Sequence, residues 1–207
     1  MSRGLGDVYK RQHIPFCVRK CNYCDFLSFP ADEDTQRQYV KALCKEIFYY
    51  GAHCRDYVVS TVYIGGGTPS WLWESDMAEI MDAVHKNFAL LPDAEVSVEC
   101  NPGTVTAQKF AVYRQSGINR ISLGLQSAQN VELKMLGRIH TWEQFLKTYE
   151  LARAGGFSNI NVDLMSSLPG QHTATYADSL QKVCRLKPEH TVSYTHLRAH
   201  ETSQDLV

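Results

Sequence analysis

Apolar and polar residues along this chain repeat in two periods, one helical and one of two residues, and the periods alternate. From 31 to about 57, Tyr39, Leu43, Ile47 and Tyr50 recur at helical spacing behind Asp32, Glu33 and Asp34, acidic residues that suit a helix N-terminus. Thr61-Val62-Tyr63-Ile64 reads as a short buried strand running into Gly65-Gly66-Gly67-Thr68-Pro69. A second helix is predicted from Glu74 to Phe88, with Met77, Ile80, Met81, Val84 and Phe88 as its apolar stripe. Between Glu95 and Asn101 the pattern alternates: Val96, Val98 and Cys100 face one way, Ser97, Glu99 and Asn101 the other. A third helix runs from an N-cap at Thr106 to Ser116. In the next strand, Arg120 to Gln126, the parity of Ser122, Gly124 and Gln126 is small or polar. Ser127 then caps a short helix reaching about Leu136, and Thr141-Trp142-Glu143-Gln144 matches a capping box for a helix reaching Gly155. The strand from Asn159 to Met165 sets Ile160, Val162 and Leu164 against Asn161 and Asp163, and a last helix covers Thr173 to Leu186.

Alternating strands and helices predict an α/β fold with a parallel sheet, barrel-like or doubly wound. Such folds bind ligands beyond the C-terminal ends of their strands. Gly66, Glu99, Gln126 and Asp163 all fall there, with the polar side chains opposite the apolar parity. An unpaired buried carboxylate is costly, so Glu99 and Asp163 face solvent, join ion pairs or serve a ligand. Repetition of the pattern at four strand ends favours a shared ligand. The glycine run after Ile64 suits close approach of backbone to that ligand, and equally a tight turn between strand and helix.

Composition narrows the classes. The chain has 207 residues and a net charge of -1, enough for one substantial core and without the basic footprint of a nucleic-acid binder. No apolar stretch approaches a membrane span and no signal-like run opens the chain, so the expected location is cytoplasmic, with peripheral membrane contact left open. Seven cysteines, three of them clustered, do not resemble a disulfide framework. Cys44, Cys54, Cys100 and Cys184 read as ordinary, mostly buried thiols.

The clustered three, Cys17, Cys21 and Cys24, stand at spacing C-x3-C-x2-C in a loop opened by Pro15. Cys21-x-x-Cys24 alone suits zinc or a thioredoxin-like pair. Zinc needs a fourth ligand, His13 or a distant cysteine, which no spacing suggests. A [4Fe-4S] cluster is fully ligated by four thiolates, so three leave one iron open to a small molecule.

With Tyr23 just before its last cysteine, this motif resembles the radical S-adenosylmethionine (SAM) superfamily. The flanking HIPFC and CDF narrow the likeness to the oxygen-independent coproporphyrinogen III oxidase and heme chaperone family. YIGGGTPS, SVECNPGT, SLGLQS with LGRIH, and NVDLMSSLPGQ extend it from about His13 to His190. The resemblance implies a partial (β/α)6 barrel, here truncated at about the fifth to sixth strand, since the pattern supplies five strands and no sixth. It implies a [4Fe-4S] cluster on Cys17, Cys21 and Cys24, with SAM on the open iron. Tyr23 would pack on SAM, Gly66, Gly67 and Thr68 would hold its methionyl amino group, and Glu99, Gln126, Arg138 and Asp163 would contact it. Asp163 suits the ribose hydroxyls.

The implied partners are heme or a porphyrinogen, an electron donor such as flavodoxin or ferredoxin, and apo-hemoproteins. Two functions follow from the resemblance. One is an enzyme that decarboxylates porphyrinogen propionates to vinyl groups; the other is a heme chaperone that keeps the cluster and SAM site. Oxidases of the family commonly carry a further cysteine where this chain has Phe26, which favours the chaperone and leaves enzyme status open. A zinc-stabilised scaffold without SAM chemistry is the third reading. His140 and His172 are candidate axial heme ligands, against the ordinary reading of loop histidines as solvated.

Both ends depart from the pattern. DVYKRQ and SYTHLRAHETSQDLV resemble translated sequencing-library adapter, so 1–12 and 191–207 are read as a non-native leader and tail around a core of 13–190. That reading sets aside His196 and His200 as metal ligands. Arg11 stands where family members have a tyrosine, a departure at the first strand's expected SAM contact.

Overall fold

The computed structural model of the chain describes residues 8–195. Six strands form one parallel sheet in sequence order: β1 (Val8–Ile14), β2 (Val58–Gly66), β3 (Ala89–Cys100), β4 (Arg120–Gln126), β5 (Asn159–Ser166) and β6 (His190–Thr195). Parallel neighbours need a crossover between them. The crossovers carry α1 (Glu33–His53), α2 (Glu74–Asn87), α3 (Ala107–Gln115), α4 (Asn130–Met135) with α5 (Trp142–Ala154), and α6 (Thr173–Arg185). This is the α/β arrangement that the alternating periods predict.

The helix ends follow local chemistry. Asp32 accepts from the Thr35 amide at 2.8 Å and Thr106 from the Lys109 amide at 3.2 Å. The Thr141 capping box closes both ways, Gln144 N donating to Thr141 Oγ1 at 3.4 Å and Thr141 N to Gln144 Oε1 at 2.9 Å. Ser127 is not the cap expected of it. Its hydroxyl accepts from the Gln129 amide at 3.0 Å and donates to Glu132 at 2.6 Å, shaping the turn before α4.

In the strands, Val62, Ile64, Val96, Val98, Ile121, Leu123, Ile160 and Val162 enter the helix-covered core, and the opposite parity faces the concave side. The buried stripe of α1 is Gln36, Val40, Leu43, Ile47 and Gly51. Tyr50, expected in it, is exposed, and Tyr39 turns its hydroxyl to the His13 carbonyl. Gly51 is where α1 meets α2: a Cβ there would stand 2.6 Å from the Asn87 backbone.

Two departures have backbone causes. Strand β3 begins at Ala89 because its register against β2 jumps between Val59↔Leu90 and Thr61↔Glu95; the extra residues, Pro92 among them, interrupt the alternation. Residues 8–12 and 191–195, outside the expected core, pair as the two edge strands, β1 on β2 and β6 on β5. An edge strand is held by backbone bonds, and β6 is largely exposed, so no alternation marks it. His196 and His200 lie outside the described residues.

Candidate functional site

The loop from β1 to α1 is shaped by backbone pairing at its two ends. Phe16 bridges Phe29, with Cys17 N donating to Phe29 O at 3.1 Å and Phe29 N to Pro15 O at 2.9 Å. Its centre is fastened to the segment after α4: Asn22 N donates to Leu136 O at 3.0 Å, Asn22 Nδ2 to Met135 O at 3.0 Å, and Arg19 to Gly137 O at 2.7 Å. Between these ties Cys17, Cys21 and Cys24 turn into one cavity of about 620 Å3, none of them in a disulfide. Burial raises the Cys24 thiol above its ordinary value, with the neighbouring thiols adding to the rise.

The β2–α2 turn closes against this loop. Gly67 N donates to Ile14 O and Thr68 N to Phe16 O, each at 2.7 Å. A Cβ on Gly67 would sit 2.7 Å from Phe16 O and 3.1 Å from Cys17 Sγ, so only glycine lets the strand end come this close. Gly66 also needs its φ of 118°.

The same cavity takes in every other residue expected there: Tyr23, Gly66, Thr68, Glu99, Gln126, Arg138 and Asp163. Glu99 accepts from the Tyr63 hydroxyl at 2.6 Å and from Gly66 N at 2.9 Å. Burial raises its carboxyl above the ordinary value, against the pull of those two donors. Asp163 accepts from Asn161 Nδ2 at 2.7 Å and Ser122 Oγ at 3.3 Å, and burial raises it as well. Tyr23 packs against Leu136, Met165 and Leu168, and burial pushes its phenol up to about 12.

Gln126 ends β4 in the left-handed region, φ 68°, where β4 slips register against β5. Such backbone costs about 1–3 kcal/mol and clusters at ligand sites. Its Oε1 and the Nε of Arg138 are buried without a hydrogen-bond partner.

Tyr63 and Asn101, unassigned from the sequence pattern, both lie on the cavity wall. The parity shared by Ser97, Glu99 and Asn101 was the signal for the second; Tyr63 sits between Val62 and Ile64 and carried the same one. Arg11 also reaches the wall, stacked over the Tyr63 ring at 5.7 Å. The two histidines do not join. His140 is buried rather than solvated, both ring nitrogens unpartnered, its imidazole pushed down to about 3 by burial and then by Arg138. His172 precedes α6 beside a separate small depression. Of the other thiols, Cys100 is buried, Cys44 and Cys54 are partly so, and Cys184 is exposed.

The donor set fits the group that the resemblance implies. Three thiols share one wall, yet among the described residues no three His, Cys, Asp or Glu side chains close onto a single ion. Three thiolates on one wall are a donor set that suits an iron-sulfur cluster, whose ligands are cysteine thiolates. The unpartnered Gln126 and Arg138 atoms and the glycine-lined strand end suit a polar ligand beside it. Among the described residues no helix is long and apolar enough to cross a membrane.

Comparison with known proteins identifies relatives of the chain. Residues 12–183 match the radical SAM superfamily. The chain is 39% identical over 183 residues to the heme chaperone HemW of Escherichia coli (strain K12), covering 88% of this chain and 48% of that protein. It is 35% identical over 205 residues to the oxygen-independent coproporphyrinogen-III oxidase-like protein HemZ of Bacillus subtilis (strain 168), covering 93% and 40%. Among solved structures, the coproporphyrinogen III oxidase HemN from Escherichia coli superposes with a TM-score of 0.84 at 28% identity, over 92% of this chain and 44% of that one. The chain thus spans about half the length of the curated relatives it matches. With the cysteine loop, the glycine-lined strand end and the polar strand ends gathered on one cavity, the chain belongs to the radical SAM superfamily.

Proposed function

We propose that this chain is the cluster- and SAM-binding part of a heme chaperone, a protein that takes up heme and hands it to apo-hemoproteins. Cys17, Cys21 and Cys24 would hold the [4Fe-4S] cluster. Tyr23, Gly66, Gly67, Thr68, Glu99, Gln126, Arg138 and Asp163 would hold SAM. When bound, the cluster would supply one-electron reducing chemistry toward SAM, with a donor of the flavodoxin or ferredoxin type as its electron source. The residues themselves orient and exclude. Glu99 is held by Tyr63 and Gly66 N as an acceptor facing the cavity, Arg138 offers a cation to it, and the cysteine loop supplies part of its lining. The cytoplasm is the expected location for this chemistry.

The observation that carries the chaperone reading over the oxidase is Phe26. It lies at the cavity, 53% exposed, where oxidases of the family commonly have a cysteine. The 39% identity to a heme chaperone supports the same branch. The test is to reconstitute the protein anaerobically, add SAM, reductant and coproporphyrinogen III, and follow loss of CO2 by mass spectrometry. In parallel, heme is titrated in and its transfer to an apo-hemoprotein followed by absorbance. Stoichiometric heme uptake and release without decarboxylation is expected. Repeated turnover of the porphyrinogen would make the protein the oxidase instead.

A further inference from the structure

Two of the three thiols are hydrogen-bonded from outside the loop, and both bonds trace to one cation. Arg138 Nη1 reaches Cys21 Sγ directly at 3.7 Å. Arg138 Nη2 donates to the Gly124 carbonyl and to Asn101 Oδ1, each at 2.8 Å. Asn101 Nδ2 then donates to Thr68 Oγ1 at 2.8 Å, and the Thr68 hydroxyl donates to Cys17 Sγ at 3.4 Å.

The direction of this chain is forced. Guanidinium has no acceptor, so the Asn101 amide must turn its oxygen to Arg138 and its nitrogen to Thr68. Thr68 Oγ1, accepting from the amide, has its one proton left for the sulfur. Hydrogen bonds in such chains polarise one another, and the chain begins on a full positive charge. The amide is also fixed through its backbone. Asn101 N donates to Ser70 Oγ at 3.1 Å, and the buried Lys109 ammonium donates to Ser70 O at 2.9 Å and Thr104 O at 3.1 Å.

We infer that Asn101 is a positioning residue that relays the Arg138 charge through Thr68 to Cys17, so that the sulfurs of Cys17 and Cys21 both face polarised hydrogen-bond donors and the cluster they hold is made easier to reduce. The physical ground is that hydrogen bonds to the sulfurs help set the potential of an iron-sulfur cluster. The inference rests on the cluster reading above and adds to it a residue outside the three cluster ligands.

The test is an EPR-monitored redox titration of the anaerobically reconstituted protein without SAM, with iron content measured on each sample. Asn101→Leu keeps the shape and removes both ends of the amide. It should retain the parent's iron, while the reduced-to-oxidised ratio at a fixed solution potential falls about tenfold, 59 mV for one electron. Thr68→Val should shift the same way, Thr68→Ser should titrate like the parent, and the double variant should move less than the sum of the single shifts. Full iron with the parent potential in Asn101→Leu overturns the relay, as does strict additivity. If Asn101→Leu takes up no iron, the Thr68 pair decides: equal potentials for Val and Ser overturn it. A parent that holds no iron sinks the cluster reading itself, a result distinct from iron-loaded variants that fail to shift.

Discussion

Gly67→Ala isolates the close approach on which the site is built. No left-handed backbone is involved at this position, so the added methyl acts by volume alone. It would stand 2.7 Å from Phe16 O, 3.0 Å from Ile14 O and 3.1 Å from Cys17 Sγ, roughly 0.7 Å inside ordinary contact with the first. Two of these neighbours are backbone, and the hydrogen bonds from Gly67 N and Thr68 N hold them in place, so they give only if the cysteine loop retreats from the strand end. Overpacking of this kind costs about 1–3 kcal/mol, and for a chain of this size each kcal/mol lowers Tm by about 2–4 °C. The same displacement moves Cys17 and Thr68 relative to Glu99 and Asp163, and misplacement approaching 1 Å costs a binding site about tenfold or more. Differential scanning fluorimetry, iron content after reconstitution and calorimetric titration with SAM should show a lower Tm and at least about tenfold weaker SAM binding. Gly103→Ala is the comparison, since a Cβ there meets nothing within 4 Å and only its φ of 84° is strained. It should lower Tm without touching SAM affinity. A Gly67→Ala protein with parental Tm, iron and SAM affinity would refute the argument.

Replacing Cys17, Cys21 or Cys24 by Ala should abolish four-iron stoichiometry and the charge-transfer absorbance of the reconstituted protein; a variant retaining four irons removes that residue from the ligand set. Asp163→Ala should weaken SAM binding about tenfold, 1.4 kcal/mol, with iron near normal, and unchanged calorimetric affinity would end the ribose assignment. Glu99 has its folded value raised by burial above the ordinary 4.5, so the folded state binds the proton more readily than the unfolded one. Its charge therefore destabilises the apo-protein above the raised value, and that penalty disappears as pH falls toward 4.5. The Tm of the parent should gain on that of Glu99→Gln between pH 7 and pH 5, and a constant difference would contradict the direction. Thr141→Ala should cost about 1 kcal/mol through loss of the capping box, measured by urea unfolding.

Alternating parity made most of the site legible. Val96, Val98 and Cys100 declared a buried face, which left Glu99 and Asn101 on the face that proves to line the cavity. The spacing of Cys17, Cys21 and Cys24 was equally plain, since their convergence needs only a short loop. What the pattern could not show was how distant segments meet. Nothing near Thr68 or Arg138 says that Asn101 joins them, because that link exists only after β2, β3 and β4 lie side by side. The edge strands stayed hidden for another reason: β6 buries little, so burial imposes no order on its sequence. Ser127 shapes a turn instead of capping a helix, and in sequence the two kinds of hydroxyl look alike.

The ties between the cysteine loop and the segment after α4 set an order of assembly. Arg19 meets Gly137 across 118 positions of chain, Asn22 meets Met135 across 113, and Arg138 meets Cys21 across 117. Contacts this remote pay their closure entropy late, once shorter-range helices and neighbouring strands have formed. During synthesis the three thiols leave the ribosome before β4 and α4 and wait for their frame until these have emerged and docked. The loop is thus translated before its frame and ordered only with it. Metal loading belongs after β1 to β4 have come together, and a nascent chain stalled before Gly137 exposes the three thiols without the Arg19 and Arg138 ties.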